Sequence, residues 1–324
     1  MATTNSTIEK IAPMFTELLI KKIECLKTDW QKPWITSLEQ GLPRNIRGTL
    51  YNGGNVLMLL FYTEFMKFTL PVFLTFNQAK EEDLSVSKGA RSFPVYYWFK
   101  FVVHKETKKT IKYEEYRKLP ATEQENYKVI PQMKYYNVFN IDQTDFAGKY
   151  PERYERMKKG EQPEDYSDRM IYEALDELVY LQNWYCPIKV QYSDSAYYSP
   201  SSDHIVCPQR EQFPQGAEFY GTLLHEMAHS TGSPQRLNRT FGCFFGDALY
   251  AREELVAELT AALCGAFFGY AAVPQENNAA YLKHWLTKLR GEPAFLVEIL
   301  GDVNKAAKMI ADKVTEPVNE PAAA

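Results

Sequence analysis

Apolar residues recur at intervals of three and four over positions 7–27, at Ile8, Ile11, Phe15, Leu18, Leu19, Ile23 and Leu26. That spacing lines them along one side of a helix and predicts an amphipathic one. A Pro- and Gly-marked stretch over 30–54 predicts a loop. A second helix is expected to begin at Asn55, whose side chain can cap it, and to continue through VLMLLFYTEFMKF. Segments 72–76, 93–103 and 135–141 are rich in aromatic and β-branched residues and predict strands. Between the last two lies a charged stretch, HKETKKTIKYEEYRKLPATEQENYK at 104–128, expected to be a surface excursion.

Residues 146–168 are polar, contain Pro and Gly, and show no period; they are expected to be a linker. Beyond them a helix is predicted over 170–183 and short strands over 187–192 and 204–207. Helices then dominate, at 218–230, at 247–268 and at least twice more within 275–314. The tail 315–324 is expected to be disordered. The predicted class is α+β in two domains. An α+β unit over 1–145 precedes a mainly helical unit with a small sheet over 169–314.

Composition supports a globular protein. Of 324 residues, 45% are hydrophobic and 24% charged, enough apolar material for a sizeable core. No apolar run is long enough to span a membrane, so no membrane partner is expected. The opening segment lacks the features of a secretory signal, which predicts a cytoplasmic protein. The five cysteines are scattered, odd in number and never spaced C-x-x-C, which argues against a disulfide framework or a thiolate zinc site. Charge is uneven. Residues 1–150 hold 21 basic and 16 acidic side chains, and residues 151–324 hold 16 and 25. A mildly basic first half suits a polyanionic partner better than the acidic second half does.

The second half carries the clearest chemistry. His225-Glu226-Met227-Ala228-His229 puts two imidazoles four apart on a predicted helix, hence on one face and within reach of one metal ion. Glu226 can serve as general base toward a water held there. A zinc peptidase site needs a third protein ligand. A histidine at 235 would define one class, but 235 is Gln. The run Glu253-Glu254-Leu255-Val256-Ala257-Glu258 offers acids on the following helix, with Glu254 and Glu258 sharing a face. In gluzincins, which this pattern resembles, such a glutamate is the third ligand and an acid four residues later orients a ligand histidine. On that resemblance Glu254 is the expected ligand, Glu258 the orienting acid, and Glu253 the alternative ligand. Tyr197, Tyr198, Asp203 and His204 precede the metal helix around a short strand, whose edge is a candidate for adding an extended peptide and whose Tyr or His is a candidate for steadying an oxyanion.

Nearly the whole chain resembles ArdC-type antirestriction proteins. The likeness is carried by WQKPW at 30–34, GLPRNIRGTLYNGGN at 41–55, VSKGARSFPVYYW at 86–98, KYYNVFNIDQ at 134–143, LLHEMAHSTGSPQRLNR and YAREELVAELTAALCGAFFG. The resemblance implies an N-terminal single-stranded-DNA-binding domain and a C-terminal zincin-like metallopeptidase domain with a protein substrate. In the first half, Trp30, Trp34, Tyr51, Tyr97 and Trp98 interleave with Lys32, Arg44, Arg47, Lys88 and Arg91. Flat rings for bases and cations for phosphates are what a single-strand binder needs. Two functions remain open at this point: a zinc peptidase carried by a DNA-binding module, or a DNA-binding antirestriction protein whose metal is structural or dispensable.

Overall fold

The computed structural model describes residues 4–28, 33–35, 38, 40–159, 171–242, 248–270 and 282–316. Trp30, Lys32 and the tail beyond 316 lie outside the described residues, as do 160–168 of the expected linker and the next two positions.

In the first half, helix α1 (Thr4–Thr28) buries the predicted stripe, with Ile11, Phe15, Leu19 and Ile23 fully shielded from solvent. A short strand β1 (Arg44–Asn45) leads to α2 (Gly54–Met66), which is apolar all round and buried from Gly54 to Tyr62, as an interior helix must be. Then come β2 (Val72–Leu74), α3 (Phe76–Glu81), the long β3 (Phe93–His104) and β4 (Thr110–Ile111). Two one-turn helices follow, α4 (Tyr113–Tyr116) and α5 (Ala121–Gln124), and then the long β5 (Tyr127–Asn140). The sheet order is β1-β2-β5-β3-β4. Antiparallel β3 and β5 pair from Phe93↔Val138 to His104↔Tyr127 and form a ribbon. The charged stretch sits at the outer end of that ribbon. Strand β5 begins well before the expected residue 135. Its outer half mixes Lys128, Pro131 and Gln132 with Val129 and Ile130, so the sequence there lacks the dense apolar signal of a buried strand.

Two expectations need correction. The linker region folds at its start into α6 (Phe146–Lys149) and α7 (Pro151–Lys158). Phe146 and Tyr154 there complete a small core with Ile46, Leu70, Val72, Leu74 and Ile141. Nor does Asn55 cap α2. The cap is Gly53, at φ 55°, and the Gly54 amide donates to Asn304 Oδ1 at 2.5 Å. A Cβ at position 53 would stand 2.6 Å from that oxygen, so only glycine suits the position. Asn55 points into the fold instead. Its Nδ2 donates to the Tyr96 carbonyl at 2.7 Å, and its Oδ1 accepts from the Tyr96 amide at 3.1 Å. It thereby satisfies the side of β3 that has no neighbouring strand at Tyr96.

The second half opens with α8 (Glu173–Tyr180) and a three-stranded sheet of β6 (Ile188–Gln191), β7 (Tyr197–Ser199) and β8 (His204–Pro208) in the order β6-β8-β7. Helices α9 (Gly216–Thr231), α10 (Ala248–Phe268), α11 (Leu282–Gly291) and α12 (Ala294–Val314) make up the remainder. Helix α10 packs between α9 and α12, and α12 also packs on α1 and α2. One apolar core therefore runs from Phe15 and Leu57 through Leu224 and Leu259 to Leu300. The two halves share it.

Asn55→Ala should leave the Tyr96 amide and carbonyl without partners in a buried site and cost about 2–4 kcal/mol of stability. Urea unfolding followed by circular dichroism measures this; an unchanged midpoint would contradict the edge-satisfying role of Asn55.

Candidate metal centre and aromatic cleft

Helix α9 forms because its back is apolar: Tyr220, Leu223, Leu224, Met227 and Ala228 are all fully buried. Its opposite side carries His225 and His229, one turn apart. Their Nε2 atoms stand 3.0 Å apart. Glu254 of α10 faces both, with Oε2 3.5 Å from His225 Nε2 and Oε1 3.6 Å from His229 Nε2. One ligand atom from each of these three residues lies within 4.8 Å of the others. Two ligands each about 2.0–2.1 Å from a tetrahedral ion lie roughly 3.3–3.4 Å apart. The triangle thus fits a small divalent cation, and three protein donors leave a fourth position free.

The far nitrogens are backed by the other two acids of α10. His229 Nδ1 is 3.3 Å from Glu253 Oε1. His225 Nδ1 is 3.5 Å from Glu258 Oε1, a charge contact just too long for a hydrogen bond. Geometry therefore separates the two candidate acids: Glu254 meets the nitrogens that converge, and Glu253 meets one that points away. Each backing acid is itself held. Arg239 clamps Glu253 through Nε–Oε2 at 2.9 Å and Nη2–Oε1 at 2.6 Å, and also reaches Thr231 Oγ1 and the Ala228 carbonyl. The Trp34 indole donates to Glu258 Oε2 at 2.7 Å.

Charge accounts for the chemistry of the cluster. Glu226, Glu253, Glu254 and Glu258 are all buried around two imidazoles and one guanidinium. An uncompensated surplus of buried carboxylates is costly, so the site attracts protons or a cation. Burial alone would lower the His225 pKa, but Glu254 and Glu258 raise it to about 9. Burial works against the Glu254 carboxylate as well, yet His229 and His225 hold it down at about 2. Glu226 goes the other way. Burial raises its pKa, only partly offset by the two histidines and the Tyr198 backbone amide. Its affinity for a proton is raised where those of Glu253 and Glu254 are lowered.

Of the residues ahead of the helix, Tyr198, Asp203 and His204 have side-chain hydrogen bonds. The Tyr198 hydroxyl donates to Asp203 Oδ1 at 2.7 Å, and Arg236 ion-pairs with the same carboxylate. Arg236 holds Asp203 below the usual carboxylate range. His204 Nδ1 meets Ser202 Oγ at 2.9 Å on the exposed turn. These contacts engage the Tyr198 hydroxyl, Asp203 and one ring nitrogen of His204, while Tyr197 is exposed.

The candidate DNA residues separate. Trp34 is fully buried and bonded to Glu258, so no base can stack on it. Arg44 also turns inward, donating to the carbonyls of Gln40 at 3.1 Å and Met157 at 3.4 Å, and burial lowers its pKa. Arg47, Tyr51 and Tyr97 come together in a cleft of about 460 Å³ with Asn45, Asn77, Gln78, Glu81 and Tyr136. Arg47 is paired with Glu81 there. From the cleft an aromatic track follows one face of the ribbon. Tyr97 lies 6.1 Å from Tyr136 and 6.1 Å from Phe99, and Lys134 sits 4.6 Å over the Phe99 ring. Trp98 is 52% exposed, but strand alternation puts it on the opposite face. Lys88 and Arg91 are exposed on the turn before β3. Sequence reasoning passed over Tyr136, Phe99 and Lys134; the pairing of β5 with β3 is what brings them to the track.

Known proteins show the same division. Residues 9–139 match the N-terminal domain of anti-restriction factor ArdC, and residues 173–299 match a zincin-like metallopeptidase family. The chain is 28% identical to DNA primase TraC of Escherichia coli over 94% of its own length. It spans only 28% of that relative. The crystal structure of the antirestriction ArdC protein from the R388 plasmid, in its Mn(II)-bound form, matches with a TM-score of 0.65 at 27% identity, over 95% of this chain and 99% of that one. Its metal-free form matches with 0.67 at 28%, over 94% and 97%. A zincin-like fold implies a metal, and the donor set and spacing found here fit one. Among the described residues no helix is long and apolar enough to cross a membrane.

Arg239→Ala strands the Glu253 carboxylate in a buried site and should cost about 3–5 kcal/mol. An Arg239→Met, Glu253→Leu pair should recover most of that stability. It should still bind metal at least about tenfold more weakly, because His229 has lost its backing acid. Thermal unfolding and metal titration of both variants check this; full metal affinity in the double variant would refute the orienting role.

Proposed function

We propose, from the premise that this chain belongs to the ArdC-type antirestriction family, that its second half is a zinc-dependent peptidase and its first half holds single-stranded DNA. The convergence of His225, His229 and Glu254 beside Glu226 carries the hydrolytic reading. In it the three are the metal ligands, and Glu253 and Glu258 fix the ring orientation of His229 and His225. A bound divalent ion supplies polarisation of a water and of the scissile carbonyl. Zinc suits two imidazoles and one carboxylate with one position open. Glu226 accepts the proton of the attacking water and passes it to the leaving amine. Its raised affinity for a proton favours the first of these steps.

The aromatic track supports the DNA reading. Tyr136, Tyr97 and Phe99 offer successive faces for stacking, with Lys134 and Arg47 beside them for phosphates. Polar amides of Asn45, Asn77 and Gln78 line the cleft where a base edge would sit. The biological setting that follows is protection of incoming DNA in the cytoplasm. A second reading is that the metal is structural or dispensable and antirestriction rests on DNA binding alone. The low exposure of His225 and Glu254, 4% and 7%, favours it.

Glu226→Gln should keep zinc and lose peptide hydrolysis. Elemental analysis and a protease assay test this, and a variant that cleaves like its parent would remove Glu226 as base. Retained protection of DNA against restriction by the same variant would favour the second reading. Tyr97→Ala and Tyr136→Ala should each weaken oligonucleotide binding by about 1–3 kcal/mol. Lys134→Ala should flatten the salt dependence by about one unit of slope. Fluorescence anisotropy across a salt series measures both; parental affinity in the double tyrosine variant would move the DNA site elsewhere.

A further inference from the structure

Both backing acids of the candidate metal centre lie on α10, but their supports come from different parts of the chain. Glu253 is clamped by Arg239, on the segment that follows α9. Glu258 receives its 2.7 Å hydrogen bond from Trp34, on the loop between α1 and α2, 224 positions away. Trp34 is fully buried and leans on Phe61 of α2 at 6.3 Å between ring centroids. Its indole has a single polar group, and that group is aimed at the carboxylate behind His225. An indole N–H on one oxygen of Glu258 leaves the other oxygen, Oε1, turned to His225 Nδ1 at 3.5 Å. Nothing in a packing role requires that direction.

We infer that Trp34 is a positioning residue of the metal centre. Its N–H holds Glu258 at the outer nitrogen of His225, so the first half of the chain completes a site whose ligands all lie in the second. The inference rests on reading His225, His229 and Glu254 as metal ligands. Acids that orient ligand histidines are commonly worth 10–100-fold in metal affinity, and the group that fixes such an acid shares in that effect. Trp34 carries no charge to the metal and touches no ligand directly. It acts through Glu258 alone.

The test is a double-mutant cycle on the full chain, read by zinc competition against a chromophoric chelator. Trp34→Phe keeps an aromatic ring and removes the N–H; zinc affinity should fall about tenfold, with an unchanged circular dichroism spectrum. In a Glu258→Ala background the same substitution should change the affinity by less than about twofold, because the acid it acts through is gone. Parental affinity in Trp34→Phe, or an equal loss in both backgrounds, would overturn the inference. Should Trp34→Phe not fold, hydrogen exchange on the parent and on Glu258→Ala decides. Zinc should slow exchange around residues 33–42 in the parent and lose that effect in Glu258→Ala; exchange there that ignores zinc in the parent would overturn the inference. A parent that takes up no zinc at all would instead remove the reading of the metal centre beneath it.

Discussion

Four buried carboxylates gathered around two imidazoles form the constraint that organises this protein. Glu226 and the histidines come from α9; Glu253, Glu254 and Glu258 come from α10. Removing such groups from water costs several kcal/mol per charge unless each finds a partner. The surrounding structure supplies those partners one by one. Arg239 answers Glu253, Trp34 answers Glu258, and the imidazoles answer Glu254. The residual negative charge is what a divalent cation would neutralise. The two helices can stay in register at this contact only because their other faces are apolar and packed on all sides. Leu255, Val256, Ala257 and Leu259 are completely buried, and α12 lies across the back of α10.

The same packing ties the two halves together. Helix α1 rests on α11 and α12, and α2 rests on α10 and α12. Asn304 of α12 accepts the first free amide of α2, and its Nδ2 reaches the Tyr96 hydroxyl at 3.3 Å. Lys22 of α1 pairs with Glu64 of α2 at 2.8 Å and steadies the helix pair that faces the second half. The ribbon of β3 and β5 is the part least committed to this core. Its inner end is anchored by Phe93, stacked on Phe15 at 5.4 Å, and the exposed rings of Tyr97, Trp98 and Tyr136 lie just beyond that anchor. A rigid root with a solvated face is a sound base for contacts with a flexible strand of nucleic acid.

Much of this was legible in the sequence because it is local. Period and punctuation located α1, α9, α10 and β3 to within a few residues. Two histidines four apart, followed by acids four apart on the next helix, identified the members of the cluster. Only the family resemblance ranked Glu254 above Glu253, since adjacent positions on one helix differ in which neighbour they face. That distinction needs the crossing of α9 and α10. Arg239 as the clamp on Glu253 also depends on how the chain returns after α9. Asn55 looked like a cap because it precedes an apolar run; its true partner, the backbone of Tyr96, lies 41 positions away. The early start of β5 was hidden because a half-buried strand that mixes Lys, Pro and Gln with Val and Ile carries little apolar signal. Pairing with β3, not composition, makes it a strand.

Trp34 illustrates the same limit most sharply, and it bears on how the chain is divided. In sequence it belongs to a WQKPW motif in a half with a basic surplus, a natural setting for base stacking. In the fold its ring is sealed between Phe61 and α10, and its one donor is spent on a carboxylate of the other half. Further along the same loop, Asn45, Arg47 and Tyr51 line the aromatic cleft. The boundary between residues 9–139 and 173–299 is thus a boundary between two family patterns and not between two energetic units. Substitutions at Trp34, Phe61, Glu258 and His225 share partners, so their effects on stability and on metal affinity will not add as those of independent domains would. The physical unit is the core that both halves build, with the charged cluster at its centre and the ribbon at its margin.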